Sequence, residues 1–169
     1  IKVIPPLRDA SVGMTSVIFA LSYFITAFVR PDTRIAAYHF AQKAIPQNAT
    51  VMSEVYDLGI IPFNQTFPTI ALFNFYELDS HANQRQPHHT DYIILPSHRI
   101  LKTRLMHKEH FPQGHAFYES LLQEKRGYQK IYETPCNMFC TITYLGNPVF
   151  RFEQTANVFD RPTVMIFKK

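Results

Sequence analysis

The chain of 169 residues has no tryptophan, only two cysteines, and no glycine/serine linker, low-complexity tract or internal repeat. The absence of linker and repeat excludes a string of small modules and a solenoid. With 46% hydrophobic and 14% aromatic residues, the composition also excludes a disordered tail, and phenylalanine and tyrosine supply the aromatic bulk. The two cysteines, Cys136 and Cys140 in PCNMFC, are too few and wrongly spaced for a zinc knuckle, and they do not form a C-x-x-C redox motif. Outside the cytoplasm such a pair can close a disulfide across a turn; in a strand or helix the same residues serve as small hydrophobes. Dense basic clustering is missing too. A net charge of +4, dispersed along the chain, does not point to nucleic acid as a partner.

What is present is one long uncharged run, SVGMTSVIFALSYFITAFV at residues 11–29, in a chain otherwise dotted with charge. As a helix it reaches about 28 Å, close to the hydrocarbon thickness of a bilayer. Val12, Val17, Ile18, Phe19, Leu21, Phe24, Ile25, Phe28 and Val29 favour insertion into lipid, and Ser11, Gly13, Thr15, Ser16, Ser22 and Thr26 offset part of that gain. Arg8 and Asp9 precede the run; Arg30, Asp32 and Arg34 follow it. The expectation is a transmembrane helix with its flanking segment over 1–30, contacting the lipid bilayer through residues 11–29, and one α/β domain over 31–169. The alternative is a core helix of a soluble enzyme. No A-x-A-like cleavage site follows the run, and the opening IKVIPPLRD suggests a piece of a longer protein.

Beyond the run, PDTRIAAYHFAQKAIP reads as a helix capped by Asp32 or Thr33, with Ile35, Tyr38, Ala41 and Ile45 on one face and Pro46 closing it. TVMSEVYD (50–57) reads as a first strand. LGIIPFNQTFPTIALFN (58–74) is apolar but broken by Pro62 and Pro68, and reads as loop with a short helix. After a polar loop over 77–90, DYIILPS (91–97) fits a strand buried on both faces. SHRILKTRLMHKEHFP reads as loop or irregular helix, QGHAFYESLLQEKRGY as a helix stopping at Gly127, and YQKIYETP (128–135) as a strand. MFCTITYLGNPVFRFEQ suggests a hairpin turning at Gly146-Asn147-Pro148, and PTVMIFKK (162–169) a terminal strand. The expected fold is α/β: a small open, mostly parallel sheet with flanking helices and an antiparallel C-terminal hairpin.

Four segments in this order resemble the C-terminal part of polytopic GT-C type membrane glycosyltransferases, the superfamily of protein mannosyltransferases and lipid-A aminoarabinose transferases. They are the apolar run with TRIAAYHFAQKAIPQNATVMSEVYD, then DYIILPSHR, then HFPQGHAFYESLLQEKRGYQKIYETP, and last NVFDRPTVMIFKK. The resemblance implies a parent transferase that moves a sugar from a polyprenyl-phosphate donor to a lipid, glycan or protein acceptor. It also implies an integral membrane protein with this domain on the extracytoplasmic side. The family's catalytic acidic residues lie near the N-terminus of complete members, in a region this sequence does not contain. No catalytic residue, metal or cofactor therefore carries over, and the expected role is non-catalytic: structural, or on the acceptor side. The expected partners are the N-terminal transmembrane region of the same protein and a lipid-linked sugar or acceptor. The basic residues give the opposite orientation, because Arg30, Arg34 and Lys43 follow the run while Lys2 and Arg8 precede it. A membrane-anchored α/β binding domain without transferase activity is the alternative.

Ligands of open α/β sheets sit beyond the carboxyl ends of the strands, which selects Glu54, Tyr56 and Asp57 after the first strand and Ser97, His98 and Arg99 after the second. Arg99 suits a phosphate or sugar, and the carboxylates suit hydroxyls; solvated loop residues or a structural ion pair are the plainer alternative. Lys102, Arg104 and Lys108, close to Arg99, suit an anionic headgroup or phosphate, or form a solvated basic face. His88, His89, His107, His110 and His115 show no spacing that would converge them on a metal. Asn48-Ala-Thr50 and Asn64-Gln-Thr66 are glycosylation sequons by pattern.

Overall fold

The computed structural model describes residues 7–29, 31–54, 67, 70–73, 90–135, 143–144, 147–148 and 162–169. They fall into two compact units, Ile1–Asp32 and Thr33–Lys169.

The first unit is the helix α1 (Leu7–Phe28). Ser22 turns its hydroxyl back onto Ile18 O at 2.7 Å, so a polar group in an apolar stretch is satisfied within the helix. Met14, Val17, Ile18, Leu21, Phe24 and Ile25 follow the i, i+3, i+4 spacing of one helix flank and are 47–67% exposed. The transmembrane expectation for residues 11–29 needs correction, since no helix among the described residues is long and apolar enough to cross a membrane. Two features of α1 work against it. The helix takes Arg8 and Asp9 into its first turn, and hydroxyl-bearing residues recur along its length.

The second unit is α/β with a mixed, open five-stranded sheet. Its elements are α2 (Thr33–Ala44), β1 (Val51–Glu54), β2 (Ile70–Phe73), β3 (Tyr92–Leu95), α3 (Arg99–Met106), α4 (Pro112–Leu122), β4 (Gln129–Glu133) and β7 (Met165–Lys168). A separate two-stranded ladder joins β5 (Thr143–Tyr144) to β6 (Asn147–Pro148). The strand order is β2-β1-β3-β7-β4. β1 pairs in parallel with β2 and β3, and β7 runs antiparallel to both β3 and β4. β2, β1, β3 and β4 consequently point one way, and the last strand in the sequence is inserted among them.

Alternation along the strands sorts the core into two layers. Ile93, Leu95, Met165 and Phe167 pack with Ile100 and Leu101 of α3 and with Phe117, Tyr118 and Leu121 of α4. Tyr92, Ile94, Val164 and Ile166 pack with Ala37, Ala41 and Ile45 on the opposite side. All four β3 residues are buried, as an apolar run covered on both faces should be. The small side chains of α2 bring its backbone close to the sheet, and Phe40 stacks on Tyr132 at 4.5 Å between ring centroids. Ile35, expected on that buried face, is 42% exposed. Thr33 ties the start of α2 to the chain before β7, its hydroxyl donating to Pro162 O at 2.8 Å.

Three further readings change. Ile70–Phe73, expected as loop or short helix, is an edge strand. The segment after β3 is a regular helix, α3. Asn147 and Pro148, expected in a turn, pair with Tyr144 and Thr143. The antiparallel strand of the main sheet is β7, while the β5–β6 ladder stands apart from that sheet.

Candidate functional site

The shared direction of β1, β2, β3 and β4 gathers their carboxyl ends at one edge, where a ligand site is expected. Glu54, the last residue of β1, is there but turned inward. It is 1% exposed, and its carboxyl accepts a hydrogen bond from the hydroxyl of Tyr118, itself fully buried on α4. Burying a carboxyl costs less when a hydroxyl is waiting for it, so this pair joins β1 to the helix layer. Tyr56 and Asp57 lie outside the described residues, as do His88, His89, Asn64, Cys136 and Cys140.

Ser97, Arg99 and His98 form the β3–α3 corner. Ser97 is 1% exposed and its Oγ accepts from Arg99 N at 3.2 Å, which satisfies one of the orphan donors at the start of α3. Arg99 is exposed beside it. The structure thus joins Ser97 to Arg99 and sends Glu54 into the core.

His98 carries the strongest electrostatic signal of the corner. Burial pushes its pKa down to about 4; Lys102 and Lys130 push in the same direction, and Glu133 opposes them. Its imidazole is neutral at pH 7, and Nε2 is buried without a hydrogen-bond partner among the described residues. Lys130 and Glu133 come from β4 and were not visible as site residues in the sequence. In a regular strand residues three apart face opposite sides, but a register shift between Lys130 and Tyr132 sets their side chains together, Nζ to Oε2 at 2.5 Å.

The basic cluster divides. Lys102 and Lys108 are exposed, as expected of residues that meet an anion or solvent. Arg104 is 3% exposed, its guanidinium carbon 3.7 Å from the centre of the Phe111 ring, and it covers the start of α4. The surface available to a headgroup or phosphate therefore consists of Arg99, Lys102 and Lys108 without Arg104. The rings of His107 and His110 lie 6.4 Å apart, and His115 pairs with Glu119 at 3.7 Å on α4. Among the described residues no group of three or more His, Cys, Asp or Glu side chains is placed to hold a metal ion.

The arrangement suits binding: cationic groups on the exposed side of α3, and behind them a packed layer that fixes the corner. Compared with protein-family models, with curated proteins and with solved structures, the chain matches none.

Proposed function

We propose that this chain is the C-terminal, non-catalytic portion of a GT-C type membrane glycosyltransferase that moves a sugar from a polyprenyl-phosphate donor to a lipid, glycan or protein acceptor. In this reading α1 lies against lipid along its apolar flank, and the α/β unit stands on the extracytoplasmic side and helps shape the acceptor region. The carrying observation is that flank, with Met14, Val17, Ile18, Leu21, Phe24 and Ile25 all exposed on one helix. Exposed apolar surface of that extent marks a contact with lipid or with another apolar partner. The glycosyltransferase assignment rests on the shared order of the four sequence segments, and the cationic groups of Arg99, Lys102 and Lys108 are compatible with a phosphate-bearing lipid.

The test compares the longer protein with this chain alone, using a polyprenyl-phosphate sugar as donor and a radiolabelled sugar as readout. Transfer by the longer protein and none by the 169-residue chain is the expected outcome. Turnover by the isolated chain, or a parent protein without further hydrophobic spans and without an acidic residue in its first outer loop, contradicts the reading.

A further inference from the structure

Between α2 and β1 the chain turns through Pro46, Gln47, Asn48 and Ala49, and Ala49 N closes the turn by donating to Pro46 O at 3.0 Å. The turn is held at both ends. Ile45 and Ala49 are buried in the core layer they share with Ala37 and Ala41, and the three residues between them are exposed. Asparagine is favoured in turns because its carboxamide can bond the local backbone. Asn48 does not use it in that way: among the described residues its side chain has no hydrogen-bond partner.

Asn48 opens the triplet Asn48-Ala49-Thr50, in which the middle residue is not proline and the third carries a hydroxyl, the pattern of an N-glycosylation acceptor. In the fold the Thr50 hydroxyl donates to Asp91 Oδ2 at 2.7 Å, and Asp91 N donates back to Thr50 Oγ1 at 3.0 Å. The hydrogen bond from Thr50 is the main reason the Asp91 pKa is lowered, so Asp91 stays an acceptor at neutral pH and keeps that hydroxyl engaged. Asp91 lies 41 residues further along the chain. During synthesis the hydroxyl is therefore free of that carboxylate until Asp91 has followed it, whereas Asn48 remains exposed in the finished fold.

We infer that Asn48 is a modification site and carries a glycan joined through its carboxamide nitrogen. The donor class is an oligosaccharide on a polyprenyl diphosphate, and a separate membrane transferase that reads such triplets supplies the catalysis. Asn48 Nδ2 attacks C1 of the first sugar: the C1–N bond forms and the C1–O bond to phosphate breaks. The polyprenyl diphosphate leaves with the electron pair, and one amide proton passes to a base of the transferase. The finished fold accommodates the product, because an exposed side chain on a turn takes on bulk without displacing a buried neighbour. Asn48 precedes β1, at the end of the parallel β1–β3 pair opposite the Ser97–Arg99 corner, so the glycan leaves that corner uncovered. The inference rests on the extracytoplasmic placement proposed above, since a soluble-side glycan of this kind is a surface modification of chains that face outward.

The test is peptide mass spectrometry on the longer protein purified from the membranes of its own cells, with fragmentation that resolves Asn48 from Asn64. Protease accessibility of the α/β unit in intact cells and sugar transfer to acceptor are measured on the same material. The expected result is an accessible unit and a glycan on Asn48. The glycan should be lost in Asn48→Gln, with unchanged circular dichroism, and kept in Thr50→Ser, which retains the hydroxyl. An accessible unit with bare Asn48 overturns the inference and leaves the placement standing; a protected unit with bare Asn48 overturns both. Bare Asn48 in a protein that transfers sugar refutes the modification alone, and a glycan on Asn48 in a protein without transfer supports the modification and counts against the transferase reading.

Discussion

A tyrosine hydroxyl sixty-four residues from Glu54 decides what that carboxyl does. Tyr118→Phe removes a hydrogen bond to a buried carboxyl and should lower stability by about 1–3 kcal/mol in urea unfolding; a change under about 0.5 kcal/mol contradicts the pairing. His98 gives a pH signature. Its pKa falls from 6.5 in the unfolded chain to about 4 in the fold, so the folded state binds fewer protons between those values. The corresponding stabilisation, on the order of 3 kcal/mol, is fully present above about pH 6.5 and is lost as the pH falls through about 4. The groups acting on His98 are Lys102 on α3 and Lys130 and Glu133 on β4. Unfolding measured at pH 7 and at pH 4.5 should show the loss, and His98→Gln should flatten it. Asp91 contributes separately: its lowered pKa makes its stabilisation disappear only below about pH 4. The basic cluster supplies a further contrast. Arg104→Ala removes a stack in a buried place and should cost about 1–3 kcal/mol, whereas Lys102→Ala should stay within about 0.5 kcal/mol. In the sequence these residues look alike, four cations within ten positions. The difference lies in helix phase and in Phe111, which becomes a neighbour only once α3 and the turn after it have formed.

At the scale of elements, β7 organises the second unit. It lies between β3 and β4, and Ile166 and Phe167 are fully buried on opposite faces. Ile166→Ala should cost about 2–5 kcal/mol, and Leu72→Ala on the edge strand β2, where Leu72 is 52% exposed, within about 0.5 kcal/mol; paired denaturation curves check both. The existence of β7 was legible in PTVMIFKK because a short apolar run ending in lysines suits a strand. Its place was not, since strand order depends on pairings with β3 and β4 between residues 32 to 76 positions apart. The same limit hid β2. Pro62 and Pro68 punctuate an apolar stretch whose four strand residues, Ile70–Phe73, give no usable period, and only parallel pairing with β1 makes them a strand. The end of α4 shows a local misreading. Gly127 looked like the stop, but the helix ends at Leu122, with Glu124 taking the left-handed conformation at φ 56°. Glu124 N donates to Leu121 O and Lys125 N to Ser120 O, the two bonds of a Schellman end, so a glutamate stands where glycine is usual. Its carboxylate also accepts from Lys130 N at 3.1 Å, holding the start of β4. The candidate site was legible to the same degree. The corner after β3 followed from the rule of strand ends, while Lys130 and Glu133 needed the register shift in β4 to become neighbours.

At the scale of the whole molecule, α1 and the α/β unit pose different physical problems. The α/β unit closes two apolar layers around its own sheet. Along α1, six large apolar side chains on one flank are 47–67% exposed, each worth about 1.5–3 kcal/mol if fully removed from water. The central claim is that lipid covers that flank. Flotation of the whole chain with lipid vesicles in a density gradient tests it most directly, with Ile18→Lys/Leu21→Lys as the comparison and circular dichroism to verify that the fold is retained. The account predicts that the chain rises with the vesicles and that the double variant partitions at least about tenfold less. A chain that stays in the lower buffer fraction at every lipid concentration, or a double variant that floats equally well, contradicts it.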